Sequence, residues 1–223
     1  MRNKIFIAID TKSQKKAMSI IKNSKIKNFK IGYKFGLEFL NSKNGRSFIS
    51  NLKNKIVFLD LKLHDIPNTI SSALLALKDL KINYLTVHIS SGLKALKDLK
   101  RVSGKIKIVG VTTLTSLDNK DLKSMGYKKP LKEIVISQSK LAKKAKLDAI
   151  VCSPLEVKSV RKFFDKEIIT PGIRISSKFN DQKRVMTPRA AFNLGSDWLV
   201  IGRSLTKGNI KKNLKNLSDH LNK

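Results

Sequence analysis

A single cysteine, Cys152, occurs in 223 residues, and it sits in an apolar run. No disulfide framework is therefore available, and a packed core thiol in a reducing compartment is the plain expectation. Acidic residues are scarce as well: 16 Asp plus Glu stand against 47 Lys plus Arg. No apolar run reaches the length that spans a bilayer. The opening MRNKIFIAID enters an apolar strand at once, without a long hydrophobic segment or a small-residue cleavage site. A cytoplasmic protein with no membrane partner is expected. No glycine-rich phosphate fingerprint follows the first strand, which argues against a doubly wound nucleotide-binding sheet. Metal-ligand spacing is missing too, because His64 and His88 are far from any cysteine.

What is present is enough apolar material for one substantial core: 41% hydrophobic residues, with ten Phe and many Ile and Leu. Global disorder is excluded on that ground. The formal net charge of +31 raises nucleic-acid binding as a rival function. Its distribution argues otherwise. The lysines spread over the whole length, mostly on the outer faces of expected helices, and form no arm or stripe. The expectation is no nucleic-acid partner, but a field that draws in small polyanions.

The densest chemistry lies in IVFLDLKLHDIPNT, from Ile56 to Thr69. Ile56 to Leu59 reads as a buried parallel strand. Asp60, Lys62 and Asp65 then arrive within six positions, beside His64. Asp60 and Lys62 are two apart, so an extended backbone sends both side chains off one face. Charges at the end of a buried strand must be paired or used. A structural ion-pair network and a catalytic constellation are the two readings. His64 reads as a hydrogen-bonding residue, and Mg²⁺ between Asp60 and Asp65 would compete with the Lys62 charge.

Along the chain, short apolar runs alternate with helical patterns. Strands are expected at Lys4–Ile9, Phe29–Gly32, Ile56–Leu59, Tyr84–Val87, Ile106–Val111, Ala149–Cys152, Ile168–Ile169 and Asp197–Ile201. Helical stretches are expected at Ser13–Lys22, Leu37–Lys53 (interrupted at Asn44-Gly45), Ser71–Leu80, Leu93–Leu99, Leu117–Tyr127, Leu131–Ala145 and Pro154–Phe163. Thr187-Pro188 begins another, since Thr caps and Pro suits the first helical position. A lysine-rich helix from Ile210 closes the chain. Eight such units, with no linker between them, fit a (β/α)8 barrel of residues 1–223 as a single domain. Polar residues recur in or after the strands: Asp10, Lys30, Asp60 with Lys62, His88, Thr115 with Ser116, and Arg203. In a barrel, strand ends converge on one mouth.

These residues carry a family likeness. The run from Asp60 to Thr69 resembles the signature of the orotidine 5′-phosphate decarboxylases, of the short bacterial type. The likeness continues through Phe29–Gly32, Val111–Ser116, Thr170-Pro171-Gly172-Ile173-Arg174, Asp181–Arg184 and Val200–Arg203. The resemblance implies a cofactor-independent homodimer that converts orotidine 5′-phosphate to UMP and CO₂. It makes Lys62 the proton donor to C6 of the pyrimidine, with Asp60 facing the substrate carboxylate. Asp65 and Thr69 would reach the partner's site. Lys30 would complete the charge row and contact the ribose, and Asp10 with Thr69 would hold sugar hydroxyls. Ser116 would read the pyrimidine edge, and Pro171 would stand at its end of a mobile loop carrying Arg174. Gln182, Gly202 and Arg203 would grip the phosphate. The segment from Ile175 to Asp181 departs from relatives, apparently one residue shorter than a common bacterial form.

The chemistry suits the residues. A lysine held between carboxylates stays charged, which makes it a poor base or Schiff-base nucleophile and a good positioned acid. Loss of CO₂ leaves a carbanion, and a fixed ammonium stabilises that charge where it develops. The rivals are a Mg²⁺-dependent keto-sugar-phosphate decarboxylase with a similar Asp-x-Lys-x-x-Asp arrangement, a basic nucleic-acid-binding barrel, and an inactive relative. The high net charge generates a test. Self-repulsion destabilises the compact state and salt screens it, so the melting temperature is expected to rise from low to moderate ionic strength. A melting temperature that falls steadily with added salt would contradict this.

Overall fold

A computed structural model describes residues 3–175 and 186–222. Eight parallel strands close into a barrel in sequence order, the last pairing with the first. They are β1 (Asn3–Ile9), β2 (Phe29–Gly36), β3 (Ile56–Leu63), β4 (Tyr84–His88), β5 (Lys107–Val111), β6 (Ala149–Val151), β7 (Glu167–Thr170) and β8 (Trp198–Ile201). The helices of the first half are α1 (Gln14–Asn23), α2 (Leu37–Leu40), α3 (Gly45–Ser50), α4 (Pro67–Ala76) and α5 (Gly92–Val102). Those of the second half are α6 (Asn119–Ser124), α7 (Leu131–Lys144), α8 (Val157–Arg161), α9 (Pro188–Asn193), α10 (Arg203–Thr206) and α11 (Ile210–Asn222). The expected (β/α)8 architecture is borne out. Among the described residues no helix is long and apolar enough to cross a membrane.

Two strands run four residues past their expected ends: β3 beyond Leu59 and β2 beyond Gly32. Hydrophobicity ended the sequence reading there because Lys34 interrupts it, yet Tyr33 and Phe35 are buried outward, against the helices. Helix α4 begins at Pro67, four residues before the expected Ser71. Ile66 is extended, with φ −63° and ψ 157°, and Pro67 supplies a first helical turn that needs no backbone donor. The stretch Leu37–Lys53 divides into α2 and α3 around Asn41–Asn44, beside the expected break. Between 117 and 145, Asp118 caps α6 through a reciprocal box with Asp121.

Two apolar layers result from the alternation of strand side chains. The larger lies between strands and helices. The smaller fills the barrel interior, where Phe6, Phe58, Tyr84 and Trp198 form an aromatic plug. Phe6 stacks on Trp198 at 4.2 Å between ring centroids and meets Tyr84 edge-on at 5.2 Å. Below the plug, Glu167 accepts from Lys107 Nζ at 2.8 Å, Tyr84 Oη at 3.0 Å and Trp198 Nε1 at 3.2 Å. Burial alone would raise the Glu167 carboxyl, but these donors hold it below the usual carboxylate range. Cys152 is fully buried, as a core thiol.

Gly32 makes the plug possible. A Cβ there would lie 2.5 Å from Phe6 Cε1. The Phe6 ring is held between Trp198, Tyr84 and Phe58, so it has little freedom to withdraw. Gly32→Ala is therefore expected to destabilise the fold by roughly 1–3 kcal/mol through overpacking. The check is the urea midpoint at unchanged m-value, and an unaltered midpoint would contradict the packing argument.

Candidate active site

At the C-terminal ends of the strands lies a cavity of about 270 Å³. Its charged wall comes from three consecutive strands, and successive barrel strands are neighbours, so the charges meet. β1 leads into Asp10, β2 presents Lys34, and β3 presents Asp60 and Lys62. Lys34 Nζ lies 3.7 Å from Asp10 Oδ1 and 3.3 Å from Asp60 Oδ2. Lys62 Nζ donates to Asp60 Oδ1 at 2.9 Å. The result is an alternating row: acid, base, acid, base. Burial would push the Asp60 carboxyl up, but the Lys34 and Lys62 ammoniums outweigh it and hold Asp60 below its ordinary range.

The backbone at Lys62 is unusual. Its φ is +50°, in the left-handed region that a non-glycine residue enters only at a cost of order 1–3 kcal/mol. There β3 leaves regular register with β4. The Lys62 N–H donates to Thr86 Oγ1 at 2.7 Å, and that hydroxyl lies 3.2 Å from Asp60 Oδ1. His88, one strand over, is held below the usual imidazole range by burial first, then by the His64 and Lys62 charges. The two rings lie 5.1 Å apart, and Ser90 Oγ is 3.3 Å from His64 Nε2.

The expected site residues are distributed unevenly. Asp10, Asp60, Lys62, Pro171, Arg174, Gly202 and Arg203 all line the cavity. Lys30 does not. It shares the interior face of β2 with Gly32 and Lys34, but four residues of strand separate it from Lys34, about 13 Å. Its ammonium lies 6.0 Å from the Trp198 ring, at the plugged end. The place expected for Lys30 is taken by Lys34. A signal for this existed: within β2, Lys-x-Gly occurs twice, at Lys30-Ile31-Gly32 and at Lys34-Phe35-Gly36. Only the strand's length decides between them.

Asp65 is exposed and accepts from the Ile66 N–H at 2.7 Å, so within one chain it does not flank Lys62. Thr69 is exposed on α4. Ser116 is exposed, and its segment lines the cavity with Thr113, Leu114 and Thr115 instead. Thr113 is fixed from behind, its N–H donating to Gln138 Oε1 at 2.8 Å. Gln182 and residues 176–181 of the segment expected to be short lie outside the described residues. The chain on either side is tied together: Arg174 N donates to Met186 O at 3.0 Å, and Met186 N to Gly172 O at 3.1 Å. Among the described residues no three His, Cys, Asp or Glu side chains gather as a metal site.

Comparison with known proteins agrees with this geometry. A family profile described as "Orotidine 5'-phosphate decarboxylase / HUMPS family" matches residues 3–214. The orotidine 5'-phosphate decarboxylase of Wolbachia sp. subsp. Brugia malayi is 43% identical over 227 residues, covering 97% of this chain and all of that protein. That of Mannheimia succiniciproducens is 40% identical over 217 residues, covering 93% of this chain and 92% of the other. The crystal structure of the Lactobacillus acidophilus orotidine 5'-phosphate decarboxylase superposes with a TM-score of 0.84 at 30% identity, over 99% of this chain and 100% of that one. With its barrel, its charged mouth and these full-length likenesses, the chain belongs to the orotidine 5'-phosphate decarboxylase / HUMPS family.

Proposed function

We propose that this chain is an orotidine 5′-phosphate decarboxylase that forms UMP and CO₂ in the cytoplasm, without a cofactor, and that Lys62 delivers the proton to C6. The observation that carries the reading is the row Asp10–Lys34–Asp60–Lys62 along one wall of the cavity. Lys62 Nζ is held by Asp60 at 2.9 Å and borders space large enough for part of a nucleotide. As the C6–CO₂ bond breaks, its electron pair stays on C6, and the ammonium faces that charge and protonates it. The ionised Asp60 repels a substrate carboxylate placed beside it, and the repulsion ends as neutral CO₂ leaves.

The remaining residues supply grip. Lys34, in place of Lys30, bridges Asp10 and Asp60 and contacts the ribose, whose hydroxyls Asp10 also binds. Arg203 presents a guanidinium fork suited to phosphate, beside Gly202, where a Cβ would lie 3.4 Å from Asp10 Oδ2. Gln182 and Arg174 join that grip, Pro171 borders the base, and Ser116 reads its edge. Asp65 and Thr69 serve the partner's site in a homodimer. Their exposure supports this, as does Ile66 between them, an apolar side chain left 65% exposed. The sugar-phosphate alternative requires Mg²⁺ on Asp60, and two ammoniums already hold that carboxylate.

Two outcomes are expected. UMP formation from orotidine 5′-phosphate proceeds undiminished in EDTA, and Lys62→Ala lowers kcat by at least ~10³-fold. Turnover that EDTA abolishes, or that survives in Lys62→Ala, contradicts the reading. Separately, Lys34→Ala is expected to cost roughly 10²-fold in kcat/KM while Lys30→Ala stays within about twofold of the native chain. The reverse order in the same assay would restore Lys30 to the site.

A further inference from the structure

The register break in β3 places three residues over one. From Leu59 to Leu63 the strand advances four positions, while β4 advances two, from Leu85 to Val87. Asp60, Leu61 and Lys62 therefore arch across Thr86, the single β4 residue between those pairs. Thr86 is completely buried. Its hydroxyl receives the Lys62 N–H at 2.7 Å and lies 3.2 Å from Asp60 Oδ1, the same oxygen that receives Lys62 Nζ at 2.9 Å. A hydroxyl has one proton. With its lone-pair side taken by a backbone N–H, that proton is directed at the carboxylate. Backbone, hydroxyl, carboxylate and ammonium thus form a closed loop that begins and ends on Lys62.

The barrel does not need this polar group for packing. Valine has nearly the same shape and suits a strand at least as well. Val109, Ala149 and Val200 of the same interior cluster are apolar. The hydroxyl occurs where the strained backbone of Lys62, at φ +50°, needs a partner. We infer that Thr86 is a positioning residue for the decarboxylation, fixing the Lys62 backbone and the Asp60 carboxylate so that the ammonium stands at one place in the cavity. This rests on the reading of Lys62 as the proton donor.

The experiment measures kcat, KM and melting temperature for UMP formation by the native chain and by Thr86→Val, Thr86→Ala and Thr86→Ser. Displacing a catalytic group by about 1 Å costs on the order of 10²-fold, so that loss in kcat is expected for Val and Ala. KM is expected to stay within about threefold, because the phosphate and ribose contacts are elsewhere. Serine retains the hydroxyl and is expected to recover kcat to within about fivefold of the native value. A Thr86→Val enzyme with native kcat overturns the inference, as does a serine variant as slow as alanine. If Thr86→Val does not fold, the Ser and Ala pair decides, since both lose the methyl and only one loses the hydroxyl. A native chain with no turnover overturns the proposed function and this inference with it. Native turnover alongside an unimpaired Thr86→Val overturns only the role of Thr86.

Discussion

A carboxylate largely removed from water keeps its charge only if cations are fixed beside it. Asp60 is in that position, with Lys34 on one oxygen and Lys62 on the other. The pairing depends on the closed barrel, because the residues come from two strands and from β1's exit and are brought into one row only by parallel neighbours in register. The aromatic plug beneath closes the interior from the other end, so the row faces a cavity with one mouth. Removing either cation would leave a buried charge short of a partner, which destabilises more than the pair itself stabilises.

The same physics operates at both ends of the barrel with different results. At the plugged end, Glu167 gathers Lys107, Tyr84 and Trp198 into hydrogen bonds, with Lys4 at 3.9 Å. The three hydrogen-bond donors there converge on one carboxylate, with Lys107 still partly exposed, and aromatic rings fill the space above. At the mouth, Lys62 keeps part of its ammonium toward an open cavity. The two networks differ in what they border: packed aromatic rings at one end, and room for a ligand at the other.

Much of the fold was legible because its signal is local. Eight apolar runs at β spacing, each followed by a helical pattern, allow few architectures, and the boundaries were displaced where a polar residue or a proline stands at an edge. β2 shows the limit. Its interior face carries Lys30, Gly32 and Lys34, so no apolar alternation marks how far the strand runs, and two lysines in identical Lys-x-Gly settings compete for one role. Asp60 and Lys62, two apart on β3, were correctly expected to leave by one face. Within one chain Asp65 lies apart from Lys62, because the chain turns at Ile66 and the Asp65 carboxylate accepts its own neighbour's N–H.

The sequence by itself determined the repeating β/α order, the apolar interior and the residue types gathered in the Asp60 to Thr69 segment, since periodicity and spacing act over a few residues. Only the tertiary structure decided which lysine of β2 joins the row and that Thr86 lies under Lys62. Both depend on strand register, which is set by pairing between segments about 24 residues apart in sequence and leaves no mark within either one.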